Sequence, residues 1–193
     1  CTCGQTHEVA IRAMLLEDGA LSRTYDLIER LKLGRKAMML ADVASYDAAG
    51  RELAAELRKR GMIVAESVYP QRQLYADEKA LAKALLDLEP DTDMVIAVGS
   101  GTINDIARMI SYKTRIPYFV VATAPSMDGY ASTVSPLLVN GFKVTYGAVS
   151  PVAVVGDLKV IRQAPREMFA AGLGDMLAKL TALCDWKLAA AVE

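Results

Sequence analysis

Residues 94–110 read MVIAVGSGTINDIARMI, and this stretch decides the fold. An apolar strand breaks at Gly99-Ser100-Gly101 and the chain restarts as an amphipathic helix. Unpaired backbone N–H groups at the start of such a helix can face a phosphate, so the turn reads as a nucleotide diphosphate site. Residues 123–132, TAPSMDGYAS, follow a second apolar strand at 118–121. They set hydroxyls and one carboxylate where an α/β sheet presents its ligands. Together the two segments point to a dinucleotide and a small polar substrate side by side.

Outward from this core the chain alternates strand and helix. The pattern predicts a strand at 7–11, a helix at 18–33 stopped by Gly34, a strand at 36–41 and a helix at 45–60 closed by Gly61. A strand at 62–68, a helix at 77–88 with Asp77 as its start signal, a strand at 93–98, a helix at 102–112 and a strand at 117–121 follow. This is a doubly wound, Rossmann-like parallel sheet of the α/β class. After residue 130 the rhythm changes. Segments 137–139 and 143–146 flank Asn140-Gly141, a strong hairpin signal, and a strand at 152–155 comes next. From Pro165 the chain is Ala/Leu-rich and helical, broken only at Gly172-Leu173-Gly174. The expected domains are a nucleotide-binding unit over 1–164 and, over 165–193, the first helices of an all-α domain whose remainder lies outside this chain.

Composition excludes several partners. The chain has 193 residues, 53% hydrophobic and 23% charged, which fits a globular protein with one substantial core. Its 22 Lys and Arg against 23 Asp and Glu supply no basic field, so nucleic acid and membrane surfaces are poor partners. No run approaches the roughly 20 apolar residues of a membrane span and no leader opens the chain, so the expected location is cytoplasmic. Three cysteines make a disulfide framework unexpected. Cys1-Thr2-Cys3-Gly4-Gln5-Thr6-His7 resembles half a metal knuckle, but its cysteines are one residue apart and no second pair follows, which favours a plain N-terminal turn.

The glycine loop alone is weak. Gly99-x-Gly101-x-x-Asn104 lacks the third glycine of the usual dinucleotide fingerprint and follows the fourth strand rather than the first. On its own it is read equally well as a tight strand-to-helix turn. Asp42 shifts the balance, because it ends the strand 36–41, where a carboxylate accepts from ribose hydroxyls; its other reading is the cap of the helix that begins near Ser45. A 2′-phosphate would be repelled by Asp42, which favours NAD over NADP unless Arg51 or Arg72 folds over the site.

Three segments carry a resemblance. Gly99-Ser100-Gly101-Thr102-Ile103-Asn104-Asp105, Thr123-Ala124-Pro125-Ser126-Met127-Asp128-Gly129 and Ala171-Gly172-Leu173-Gly174-Asp175-Met176-Leu177-Ala178-Lys179 resemble, in order and spacing, the sn-glycerol-1-phosphate dehydrogenases. These belong with the iron-dependent alcohol dehydrogenases, glycerol dehydrogenase and 3-dehydroquinate synthase. The TAPSxDG segment is the specific part and the glycine loop is common to the group. Ser100 stands where many relatives have glycine, and Arg108 where alcohol and glycerol dehydrogenases often have lysine.

The resemblance implies roles at matching positions. Gly101 to Asp105 would hold the NAD diphosphate and its neighbourhood, and Thr123, Ser126 and Ser132, in a segment that includes Ala124 and Pro125, would contact the cofactor further along. Asp128 would meet the substrate beside the nicotinamide. Asp175 would ligate a divalent metal, zinc or nickel, one per complete enzyme, and touch the substrate. The residues themselves offer two readings of Asp175: a carboxylate brought to the cleft by a glycine break in a helix, or an ordinary helix acid paired with Lys179. The implied reaction is reversible hydride transfer between NADH and dihydroxyacetone phosphate, giving sn-glycerol 1-phosphate, with the metal polarising the carbonyl. The family completes its metal site with two histidines from the helical domain, whereas this chain has only His7. The resemblance implies a longer, homo-oligomeric enzyme, whose NAD-binding unit is residues 1–164 and whose helical metal and substrate domain opens at residue 165. Alternatives are glycerol dehydrogenase, a dehydroquinate synthase-like lyase, or a nucleotide-binding module without catalysis.

Overall fold

The computed structural model describes every residue except Cys1, Thr2, Gln5, His7, Arg72 and Glu193. The half-knuckle reading, which needs Cys1 and His7, and the reading of Arg72 as a phosphate partner therefore fall outside the described residues.

Strands β2 (Lys36–Asp42), β4 (Met94–Gly99) and β5 (Tyr118–Ala122) are near-continuous apolar runs because both of their faces are covered. With β1 (Ala13–Glu17), β3 (Ile63–Tyr69) and β8 (Ala153–Asp157) they form a six-stranded parallel sheet in the order β1-β8-β5-β4-β2-β3. On one face Met39, Ile96 and Val121 pack against Ile28 of α1 (Thr24–Leu31) and Leu53 and Leu57 of α3 (Arg51–Lys59). On the other, Met38, Val95 and Val120 meet Ala80 and Ala84 of α4 (Glu78–Asp87) and Ile103, Ile106 and Ile110 of α5 (Gly101–Thr114). Each fully buried Leu, Ile or Met contributes about 1.5–3 kcal/mol, so these two layers hold the domain together.

The topology explains where a ligand belongs. The chain moves outward from β2 to β3 over the α3 face, then returns over the α4 face to β4, on the other side of β2. Strand order thus reverses between β2 and β4, and the crevice outside their carboxyl ends opens between Asp42 and Gly99. A short helix α2 (Val43–Ser45) and a π turn over Tyr46–Gly50 lead from Asp42 into α3. Asp77 caps α4 as expected, accepting from the Ala80 N–H at 2.8 Å. The hairpin forms as β6 (Val134–Val139) and β7 (Phe142–Gly147), with Asn140 and Gly141 both at positive φ in the turn. The short helix α6 (Leu158–Ile161) precedes α7 (Arg166–Val192).

Three expectations are corrected. The first strand lies at 13–17 rather than 7–11: β8 starts at Ala153, opposite Ala13, so no strand pairs with residues 8–11 and Val9 stays 66% exposed. The first helix ends at Lys32, which adopts the left-handed cap itself, and Gly34 serves instead to let Asp93 approach; the Asp93 carboxylate accepts from the Arg35 and Lys36 N–H groups at 2.8 Å each. Finally, Gly172 and Gly174 do not break the last helical run, for α7 is one continuous helix of 27 residues.

Candidate cofactor and substrate site

The first turn of α5 supplies the anion-binding end. Ser100, at its N-cap, makes no side-chain cap, so the opening amides of the helix are left for an external acceptor. Gly99 is fixed by packing, since a Cβ there would stand 2.9 Å from the Ile103 side chain, and Ile103 is itself core, offering only its backbone. A cavity of about 280 Å³ opens beside this turn, lined by Asp42, Ser45, Ser100, Thr123, Ala124 and residues leading into α7 up to Met168. Asn104, fully buried, has neither amide atom hydrogen-bonded. An uncapped helix start, a groove at the switch point and an orphaned buried amide beside them fit a dinucleotide diphosphate.

Asp42 serves as the helix cap and also lines the groove. Its Oδ1 accepts from the Ser45 N–H at 2.7 Å, and the Ser45 hydroxyl accepts from the Asp42 N–H at 3.1 Å, a reciprocal cap. The carboxylate still lines the groove at the carboxyl end of β2. Arg51, by contrast, lies on the Tyr46 ring at 4.9 Å and pairs with Asp47 at 2.5 Å. It is therefore engaged on its own helix.

The TAPSMDG segment runs along two cavities, with Ala124 lining both and Ser126 in neither lining. Thr123 and Ala124 face the groove just described, whereas Pro125, Met127, Asp128 and Tyr130 line a second cavity of about 330 Å³ with Leu16 and Gly156. Ser132 is in neither lining, and its hydroxyl instead accepts from the Val134 N–H at 3.1 Å. Helix α7 reaches this edge through Gly172, where any Cβ would run into the Pro125 carbonyl. One turn on, Asp175 Oδ2 accepts from the Asp128 N–H at 2.8 Å, and one turn further Lys179 Nζ lies 2.6 Å from Asp128 Oδ2. The ammonium holds the Asp128 carboxyl below the usual carboxylate range, and Asp128 in turn raises Lys179. Lys179 is therefore bound to Asp128 and not, as its i+4 spacing suggests, to Asp175.

Asp105 faces inward. Its carboxylate meets the Arg108 guanidinium at 2.9 Å, and burial pushes its pKa up to about 6 in spite of that cation. The sequence marks Arg108 only as a departure from lysine and not as a site residue; besides Asp105 and the Tyr118 hydroxyl its partners are backbone carbonyls, which leave no trace in side-chain identity.

With this geometry in view, a family described as iron-containing alcohol dehydrogenase matches residues 15–165. The chain belongs to that family. Among curated relatives, it is 42% identical over 154 residues to a glycerol-1-phosphate dehydrogenase [NAD(P)+] of Bacillus velezensis, covering 78% of this chain and 39% of that one. A protein of the same name from Geobacillus stearothermophilus is 39% identical, with 98% of this chain and 48% of that one covered. The chain thus spans about half the length, or less, of these relatives. Among solved structures, a glycerol dehydrogenase from Schizosaccharomyces pombe shares the fold at a TM-score of 0.78 and 24% identity, covering 87% of this chain and 42% of that one.

The iron-containing alcohol dehydrogenase name implies a metal, and the donors here decide how much of one this chain can hold. Among the described residues no group of three His, Cys, Asp or Glu side chains converges. Asp175 and Asp128 stand together, but a lysine ammonium occupies the second carboxylate. These residues do not make a metal site by themselves. The same description holds for membranes: among the described residues no helix is long and apolar enough to cross one.

Proposed function

We propose that this chain is the cofactor-binding half of a glycerol-1-phosphate dehydrogenase, which reversibly reduces dihydroxyacetone phosphate to sn-glycerol 1-phosphate with NADH or NADPH. The observation that carries the reading is the ledge made by Asp128, Asp175 and Lys179 one cavity away from an uncapped helix start, in a chain whose curated relatives bear that name. The nicotinamide supplies the hydride when it is bound. The residues of this chain do the rest: the α5 amides and Thr123 hold the cofactor, Asp42 meets its ribose, and Asp128 orients the substrate. Asp175 is the proposed metal ligand of this half, with zinc or nickel as the ion and the other ligands outside the chain. Residues from Pro165 onward are proposed to open the second, helical domain, and the complete enzyme is proposed to be a cytoplasmic homo-oligomer.

The test is an NADH oxidation assay on the full-length enzyme that contains this chain, with dihydroxyacetone phosphate and dihydroxyacetone as competing substrates. Preference for the phosphorylated ketone, with product oxidised only by an sn-glycerol 1-phosphate-specific enzyme, supports the reading. Faster turnover of glycerol than of glycerol 1-phosphate moves the protein to the glycerol dehydrogenases, and nucleotide binding with no turnover makes it a binding module.

A further inference from the structure

We infer that Arg108 is the positioning residue that locks the substrate loop to the cofactor helix. The inference rests on the function proposed above for Asp128 and the α5 amides. Arg108 is 1% exposed, and its guanidinium has donors directed at four pieces of chain. Nε donates to the Tyr118 hydroxyl at 3.1 Å, at the start of β5. Nη1 donates to Asp105 at 2.9 Å and to the Val134 carbonyl at 2.6 Å. Nη2 donates to the Gly129 carbonyl at 2.7 Å and reaches the Tyr130 carbonyl at 3.4 Å. Those five contacts match the five N–H donors an arginine has, so none is left for another role.

A buried ion pair is poor value as a source of stability, because desolvation offsets most of its attraction. What the fork supplies here is geometry. Three of its acceptors are carbonyls of residues 129–134, immediately after Asp128, and the cation itself sits two turns along the helix whose first residue is Gly101. A rigid rod thereby joins the anion-binding amides to the loop that presents the Asp128 carboxylate. Asn104, one turn earlier on the same face of α5, makes no side-chain hydrogen bond and adds nothing to this tie. A lysine at 108 keeps the charge but has three donors on one nitrogen and cannot reach the Tyr118 hydroxyl and the loop carbonyls together.

The experiment compares wild type, Arg108→Lys and Arg108→Gln in the full-length enzyme, with Leu57→Ala as a control that destabilises the opposite core layer. Amide hydrogen exchange over residues 126–132 is expected to rise about tenfold or more in both Arg108 variants, with β4 and β5 unchanged. The NADH dissociation constant is expected to stay within about threefold, while kcat/KM for dihydroxyacetone phosphate falls about 100-fold, largely through KM, with Lys recovering only a small part. Leu57→Ala lowers Tm without either signature. Unchanged exchange at 126–132 in Arg108→Lys, or kinetic losses that match Leu57→Ala at equal loss of Tm, overturns the inference. If wild type fails to reduce dihydroxyacetone phosphate, the proposed function falls, and the exchange comparison still decides whether Arg108 holds the loop.

Discussion

The Asp128 N–H donates to Oδ2 of Asp175 at 2.8 Å, so two carboxylates 47 residues apart in sequence share one ledge. That contact depends on a third position with no functional group at all. Gly172 sets the distance of α7 from the TAPSMDG loop, because its missing side chain is the space occupied by the Pro125 carbonyl.

Gly172→Ala in the full-length enzyme is accordingly expected to push α7 off the loop and lower kcat/KM by about 100-fold or more while NADH affinity changes little. Gly174→Ala is the contrast. Nothing lies within 4 Å of a Cβ at that position, so the change is expected to raise thermal stability by roughly 0.5–1 kcal/mol through helix propensity. Steady-state kinetics and thermal melts on the pair check both outcomes.

Cofactor preference separates two roles of Asp42. Asparagine caps a helix about as well as aspartate but carries no charge, so Asp42→Asn is expected to narrow the NADH over NADPH preference without loss of stability. Asp42→Ala narrows it as well and costs about 1 kcal/mol through the lost cap to Ser45. Calorimetric titration with both cofactors and a denaturation curve for each variant distinguish the two effects; an unchanged cofactor ratio in Asp42→Asn removes Asp42 from the site.

Asp105 gives stability a pH dependence of unusual sign. Its carboxyl is raised to about 6 by burial, so the folded state binds a proton more tightly than the unfolded chain does. The stability this provides is complete below the unfolded pKa near 4 and is lost as pH rises through about 6, amounting to about 1–3 kcal/mol. Asp87, Asp91 and Asp128, all lowered, act in the opposite direction and at more acid pH. Denaturant melts between pH 4.5 and 7 are expected to show a decline in wild type that Asp105→Asn removes.

Leu173, Leu177, Leu180, Leu183 and Trp186 on α7 are all more than half exposed. The 193-residue chain on its own is expected to self-associate through them and to hold no stoichiometric metal after dialysis. Light scattering and metal analysis on one sample check this, and replacing Leu180 and Leu183 with glutamine is expected to shift the chain toward monomer.

The sheet was legible because its central strands are buried on both faces, and burial of that kind leaves continuous runs such as 94–98. Asp77 and Asn140-Gly141 were legible too, since caps and tight turns are chosen by local backbone demands. The first strand was not, because what selects 13–17 is a partner some 140 residues away. Gly172 invited the wrong reading for a related reason: glycine in a helix signals either a break or a close approach, and only the Pro125 carbonyl decides between them. The link from Lys179 to Asp128 was hidden by a nearer acid, Asp175, at ideal helical spacing.

Gly172 is the one buried residue of α7 and lies near its beginning. A rod gripped close to one end is a lever. Asp175 sits about 4.5 Å along the axis from that grip and Val192 about 30 Å, at 1.5 Å per residue. A tilt of about 10° about the Gly172 contact therefore moves the far end by roughly 5 Å while displacing Asp175 by less than about 1 Å. Whatever packs on the distal turns of α7 has a long arm to swing, and the carboxylate that meets Asp128 stays beside the fulcrum.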